Sequence, residues 1–251
     1  MIDINVPLLQ TLLSTTRRAV DDYGMIEEGD RIAVGVSGGK DSLALLAVLK
    51  ALQRFYPKKF ELQAIHLNMG FPGEKTDNIR ELCDALDVPL TVADTDIYEV
   101  VFKVRGEKSP CSLCANMRRG SLYSTAKSIG CEKIALGHHF DDAVETLLMN
   151  LFLEGRFGCF SPVTYLDRTG VTMIRPLLYA KEGEVRRFVS AAGIVPSPKL
   201  CPADGNTARE DAKNALAELE KKDPGVKLRL FGAMERAGID GYSVHERGRK
   251  Q

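Results

Sequence analysis

Arg31-Ile-Ala-Val-Gly-Val36-Ser37-Gly38-Gly39-Lys40-Asp41-Ser42 is the stretch that decides the fold. Residues 31–36 read as a short apolar strand, and 40–54, with Leu43, Leu46 and Leu49, as a helix. Between them sits a Gly-Gly turn. The first N–H groups of a helix have no intrahelical acceptor and are free to bind an anion. Glycine lets the backbone approach a phosphate closely, Ser37 and Ser42 offer hydroxyls, and Lys40 offers a point charge. A Walker A loop needs Gly, four residues, then Gly-Lys-Ser/Thr; here position 34 is Val and Asp41 follows the lysine, so this is a different phosphate loop.

On either side of this unit the chain alternates strand and helix. Helices are expected over 7–22, 75–87, 114–129, 141–153 and 182–192, and strands over 60–68, 89–93, 133–136 and 172–177. Residues 94–110 and 193–206 read as irregular, Gly155, Gly158 and Pro162 as a loop, and 207–251 as helical and charged with a frayed end. Alternation of this kind predicts an α/β fold: a doubly wound parallel sheet with helices on both faces and a helical C-terminal extension. The expected divisions are an N-terminal helix (1–26), the nucleotide domain carrying the cysteine site (27–206) and the extension (207–251).

Hydrophobic residues make up 44% of 251, enough for a sizeable core. No apolar run approaches the roughly 18 residues that span a bilayer, and Met-Ile-Asp-Ile-Asn-Val lacks a signal-peptide layout. The expectation is a cytoplasmic protein without a membrane. Lys+Arg and Asp+Glu both number 34, so nucleic acid would have to be held by local basic clusters. Two candidates are Lys103, Arg105 and Lys108, and Arg118 with Arg119.

Gly137-His138-His139-Phe140-Asp141-Asp142 closes a second strand and opens a second helix, the end of a doubly wound sheet where ligands bind. Asp142 is suited to Mg²⁺, which prefers oxygen ligands, and His138 to phosphate or substrate. Asp141 and Asp142 also suit the positive end of a helix. His66, at the end of the second strand, is placed to touch adenine through its backbone.

Six cysteines remain. Cys83 and Cys131 read as small apolar fillers. Cys111-Ser-Leu-Cys114 brings two thiols within reach of one metal centre, and the absence of a second pair excludes a zinc ribbon. Cys201 is the natural third ligand, with Cys159 as the alternative. Three cysteines without a fourth ligand fit an iron–sulfur cluster with one open iron; a redox pair is the other reading of C-x-x-C.

Ser37–Ser42 resembles the loop of the N-type ATP pyrophosphatases (the PP-loop proteins), which split ATP between its α and β phosphates and attach AMP to an oxygen. With Tyr23–Arg31, Cys111-Ser-Leu-Cys-Ala-Asn-Met-Arg-Arg-Gly120, Leu136–Asp142 and Ile174–Tyr179, the likeness narrows to the tRNA-cytidine 2-thiolation branch and spans roughly residues 10–205. That resemblance implies Mg²⁺, ATP bound by Ser37, Gly38, Gly39, Lys40, Asp41, Ser42, His66, Gly137 and His138, and catalysis by Lys40, Asp41 and Asp142. It also implies a [4Fe-4S] cluster on Cys111, Cys114 and Cys201, and a tRNA held by Arg118 and Arg119. ATP would adenylate the C2 oxygen of cytidine, and sulfur from the cluster would displace AMP. Expected partners are tRNA, a sulfur donor such as a cysteine desulfurase or free sulfide, and a second copy in a homodimer. The neutral charge and the charged C-terminal helix depart from the pattern. Rival readings are sulfur transfer to another nucleoside or small molecule, lysidine-type amidation, which needs no cluster, and a non-catalytic ATP or cluster sensor.

Overall fold

The computed structural model describes residues 2–105, 110–202 and 208–243. Among these, six strands form one sheet: β1 (Asp30–Gly35), β2 (Phe60–Asn68), β3 (Leu90–Asp94), β4 (Lys133–Ala135), β5 (Val163–Leu166) and β6 (Val171–Ile174). Their spatial order is β3-β2-β1-β4-β6-β5, all parallel except the antiparallel β5–β6 pair at one edge. The chain winds outward from β1 to β3, then crosses to β4 on the other side of β1. The β1/β4 boundary is therefore the switch point where such sheets open a crevice at their carboxyl ends.

Eight α-helices among the described residues surround the sheet: α1 (Leu8–Asp22), α2 (Lys40–Leu52), α3 (Asp77–Leu86), α4 (Pro110–Ser128), α5 (Phe140–Leu153), α6 (Glu182–Ala191), α7 (Ala208–Lys222) and α8 (Val226–Ala237). Side chains of a strand alternate between faces, and β1 obeys this: Ile32 and Val34 join the large core, while Ala33 joins a smaller one with Leu122 and Ala126 of α4. Both faces are thus covered, as expected of a central parallel strand. The large core runs from Ile4 to Tyr242 and takes in Leu216, Phe231 and Met234 of α7 and α8. No described helix is long and apolar enough to cross a membrane.

Three elements differ from the expectations. Part of the stretch that reads as irregular, Glu99–Arg105, is a π-helix, its Val101 buried with Ile97 and Cys114. Helix α4 starts at Pro110 rather than near 114, because proline is preorganised for a first helical position and gives up an N–H that would lack a partner there. Strand β5 lies where the sequence suggests only a loop. It has four residues at the sheet edge, and its Tyr165 is 61% exposed, so no apolar pattern marks it.

Candidate active site

The first loop is organised from within by Ser42. Its hydroxyl accepts the Ser37 N–H (3.1 Å) and donates to the Gly39 carbonyl (2.9 Å). Gly38 adopts φ +81°, a left-handed conformation suited to glycine. Gly39 caps α2 without a side-chain partner, leaving the early amides of the helix for a ligand. Lys40 Nζ lies 2.9 Å from Asp41 Oδ2 and 3.2 Å from Glu182 Oε1. Burial disfavours its charge, but Asp41 and Glu182 outweigh this and raise its pKa.

The second loop leaves β4 beside the first. Gly137 lies against the start of α2: a Cβ there would sit 2.9 Å from the Asp41 carbonyl carbon and 3.0 Å from Ser42 N. His139 caps α5. Its Nδ1 accepts the Asp142 N–H (3.3 Å), while Asp142 Oδ2 accepts the His139 N–H (2.9 Å). An accepting Nδ1 puts the ring proton on Nε2, which faces Asp41 Oδ1 at 3.6 Å. His139 is not among the residues that the sequence singles out, yet it is the side chain between Asp41 and Asp142. Its one sequence signal is its position at an N-cap ahead of Asp142.

His138 stacks on Phe160, with ring centroids 5.0 Å apart, and burial and the nearby Arg175 push its pKa down to about 3. It is neutral at working pH. His66 is buried, with Nδ1 2.8 Å from the Val36 carbonyl and Nε2 3.6 Å from Glu74, so its ring ties β2 to the end of β1. Asp41 Oδ1 is buried and has no hydrogen-bond partner among the described residues. An orphaned carboxylate oxygen beside a phosphate-type loop fits a hard cation accompanying a polyphosphate.

The acidic side of the site is balanced by the C-terminal helices. Arg209 Nη1 donates to Asp142 Oδ1 (3.0 Å), and Lys213 Nζ reaches Glu182 Oε2 (3.1 Å). Glu182, despite its burial, is held down to about 2 by Lys213 and Lys40. Asp141 turns away from the loop, accepting the Glu182 N–H (2.8 Å) and Lys227 (2.7 Å). Glu145, buried on the next turn of α5, is pushed up to about 7 by burial and by Asp142. Glu182, Arg209 and Lys213 are site residues that the sequence does not announce.

Cys111 and Cys114 lie on the first turns of α4, the former exposed and the latter buried over the π-helix. Burial raises the Cys114 pKa. Arg118 opposes this through its charge and a hydrogen bond, while Cys201 and Cys111 add to it, so all three thiols share one neighbourhood. No three described His, Cys, Asp or Glu side chains are close enough to hold a single metal ion. A cluster places each cysteine on a different iron and asks for wider spacing, so the all-thiol donor set fits that group. Cys159 lies elsewhere, buried with its thiol 3.3 Å from the Ala143 carbonyl. Cys83 and Cys131 are also buried, and burial pushes the Cys83 thiol up to about 11.

The segment leading to Cys201 runs over the first loop. Ser197 N–H donates to the Gly38 carbonyl (2.9 Å), and Asn78 of α3 holds the Val195 carbonyl (2.8 Å) and the Ser197 hydroxyl (3.0 Å). A Cβ on Gly38 would sit 2.9 Å from Ser197 Cβ, so glycine also makes room for this strap. Arg118 and Arg119 are exposed; Arg119 donates to the Ala115 carbonyl and to Asn116 on its own helix. Lys103 lies 5.5 Å from the Tyr98 ring centre on the π-helix, and Arg105 is exposed there, whereas Lys108 falls outside the described residues.

A PP-loop domain model matches residues 10–195. The tRNA-cytidine(32) 2-sulfurtransferase of Pelobacter propionicus is 41% identical over 91% of this chain and 86% of its own length. That of Geobacter sulfurreducens is 42% identical over 86% of both. Among solved structures, the U34-tRNA thiolase NcsA from Methanococcus maripaludis, with its [4Fe-4S] cluster, matches with TM-score 0.74 and 25% identity over 94% of this chain and 84% of its own. The chain belongs to the tRNA-cytidine(32) 2-sulfurtransferase family of PP-loop proteins.

Proposed function

We propose that this protein is an ATP-dependent tRNA sulfurtransferase that replaces the C2 oxygen of a cytidine in the tRNA anticodon loop with sulfur. Residues 37–42 hold the polyphosphate, with Lys40 neutralising charge that develops as pyrophosphate leaves. Asp41 and Asp142, linked through His139, hold Mg²⁺. The C2 oxygen attacks the α-phosphorus, the α–β bridge breaks, and the oxygen becomes part of an AMP leaving group. Sulfur then bonds to C2 as AMP departs, giving AMP and pyrophosphate for each oxygen replaced. Cys111, Cys114 and Cys201 would hold a [4Fe-4S] cluster, which supplies an iron without a protein ligand as the place from which sulfur is delivered. Arg118, which hydrogen-bonds the Cys114 thiol, and Arg119, the next residue of α4, would hold RNA phosphate and so steady the target base outside its stack.

The observation that supports this reading is the strap: Ser197, four residues before Cys201, donates its N–H to the Gly38 carbonyl, so the segment that carries the third proposed ligand runs over the nucleotide loop. Sulfide, either free or reduced by thiols from the persulfide of a cysteine desulfurase, is the donor; the protein works in the cytoplasm, as a homodimer. The test is anaerobic incubation of cluster-loaded protein with tRNA, Mg-ATP and sulfide, followed by nucleoside mass analysis. The expected products are 2-thiocytidine with equimolar AMP and pyrophosphate. ADP, or an unchanged cytidine in a protein that binds both substrates, would refute the reading.

A further inference from the structure

The C-terminal helices do more than pack. Arg209 and Lys213 lie one turn apart on the same face of α7, and both reach carboxylates that border the PP-loop, Asp142 and Glu182. Their side chains remain 44% and 39% exposed, whereas Asp142 and Glu182 are each 16% exposed. The cations therefore cover the acids from the solvent side. Glu182 is shared between Lys213 and Lys40, so α7 and the PP-loop already meet on one carboxylate. Arg209 is further tethered by Thr146 (3.4 Å), one turn beyond Asp142 on α5.

We propose that Arg209 and Lys213 are contacts for the β and γ phosphates of ATP, moving from Asp142 and Glu182 onto the polyphosphate when Mg²⁺ takes the Asp142 carboxylate. Charge balance favours the exchange. A divalent cation at Asp142 and Asp41 replaces the neutralisation that Arg209 provides, and the guanidinium then finds a stronger acceptor in a phosphate, which it can grip with two N–H groups. Lys213 needs only a small swing, since Glu182 keeps Lys40. The C-terminal helices are then part of the nucleotide site, and the leaving pyrophosphate is held from two sides: Lys40 on α2 and the two cations on α7. This inference rests on ATP being the substrate of the PP-loop.

The test uses full-length, cluster-loaded protein and Arg209→Ala, Arg209→Lys and Lys213→Ala. Affinity for an α,β-nonhydrolysable ATP analogue and for AMP is measured by calorimetry with Mg²⁺, alongside iron content and tRNA affinity. Each alanine variant should bind the analogue roughly tenfold or more weakly, as expected when a charge-assisted hydrogen bond is removed. AMP, which lacks the β and γ phosphates, should change by less than about twofold. Iron and tRNA affinity should stay at parental values, and Arg209→Lys should recover part of the analogue affinity. The proposal is overturned by unchanged analogue affinity with lowered thermal stability, by equal weakening for AMP and analogue, or by weakened tRNA affinity alone. Thiolation by the parent protein is a separate readout: its failure would remove the proposed function and leave the phosphate contacts standing.

Discussion

Gly137→Ala is the sharpest probe of the crevice. The added methyl would meet the Asp41 carbonyl carbon at 2.9 Å and the Asp41 oxygen and Ser42 nitrogen at 3.0 Å. All three are main-chain atoms at the start of α2, so no side chain can swing aside. Ordinary contact begins near 3.4 Å, so the two loops must part by about half an ångström. Overpacking of this kind costs roughly 1–3 kcal/mol, which lowers the Tm by about 2–12 °C in a domain of this size. The catalytic cost should exceed the stability cost, because the strain separates Asp41 from His139 and Asp142. A misplacement of about 1 Å in a reacting site can cost on the order of a hundredfold in rate, so half of that predicts roughly a tenfold fall in kcat/KM for ATP. Scanning calorimetry and tRNA-dependent pyrophosphate release read the two effects. Gly183→Ala, whose Cβ would meet nothing within 4 Å, is the control and should match the parent. If Gly137→Ala keeps parental Tm and kcat/KM, the close approach of the loops is not what organises the site.

Three further outcomes are expected. Cys111→Ala, Cys114→Ala and Cys201→Ala should each lose iron by colorimetric assay, whereas Cys83→Ala, Cys131→Ala and Cys159→Ala should retain it; iron lost from the Cys159 variant and kept by the Cys201 variant would reassign the third ligand. Arg118→Ala with Arg119→Ala should weaken tRNA binding and flatten its salt dependence, by about 0.9 in logarithmic slope for each phosphate no longer neutralised on a duplex stem and 0.7 on a single strand; parental filter-binding curves would place the RNA elsewhere. His138 stays neutral in the fold down to about pH 3 but ionises near 6.5 when unfolded. Below pH 6.5 the unfolded chain thus binds a proton that the native chain does not, and stability falls with acidification by at most about 1.4 kcal/mol per pH unit. His138→Gln should remove that component between pH 6.5 and 5 in urea titrations, and an unchanged slope would show that His138 is not the group responsible.

The parts legible in the sequence share one property: each is local. The strand–turn–helix at Arg31–Leu52 and the turn at Gly137–Asp142 carry their signals within a few residues, and strand order then brings them together at the β1/β4 boundary. The parts that stay hidden are non-local or lack a pattern. Arg209 and Asp142 are 67 positions apart, and Lys213 and Glu182 31 apart, on helices whose charges read as an ordinary solvated face. The π-helix at Glu99–Arg105 carries no 3.6-residue apolar repeat, and its single buried residue is Val101. His66 reads in the sequence as an adenine neighbour through its backbone; what the structure adds is its ring, buried against the Val36 carbonyl.

The strap from Val195 to Cys201 also bears on the order in which the protein is made. The pair Cys111 and Cys114 sits on a helix that forms from adjacent residues, but the third proposed ligand arrives on a segment pinned by Asn78 and by the Gly38 carbonyl, from the opposite end of the nucleotide fold. A nascent chain cannot present all three thiols until the sheet has assembled and the ribosome has released residues beyond 201. With Cys201 as the third ligand, insertion of the iron–sulfur group would follow assembly of the sheet, and the strap would set the time at which the protein matures.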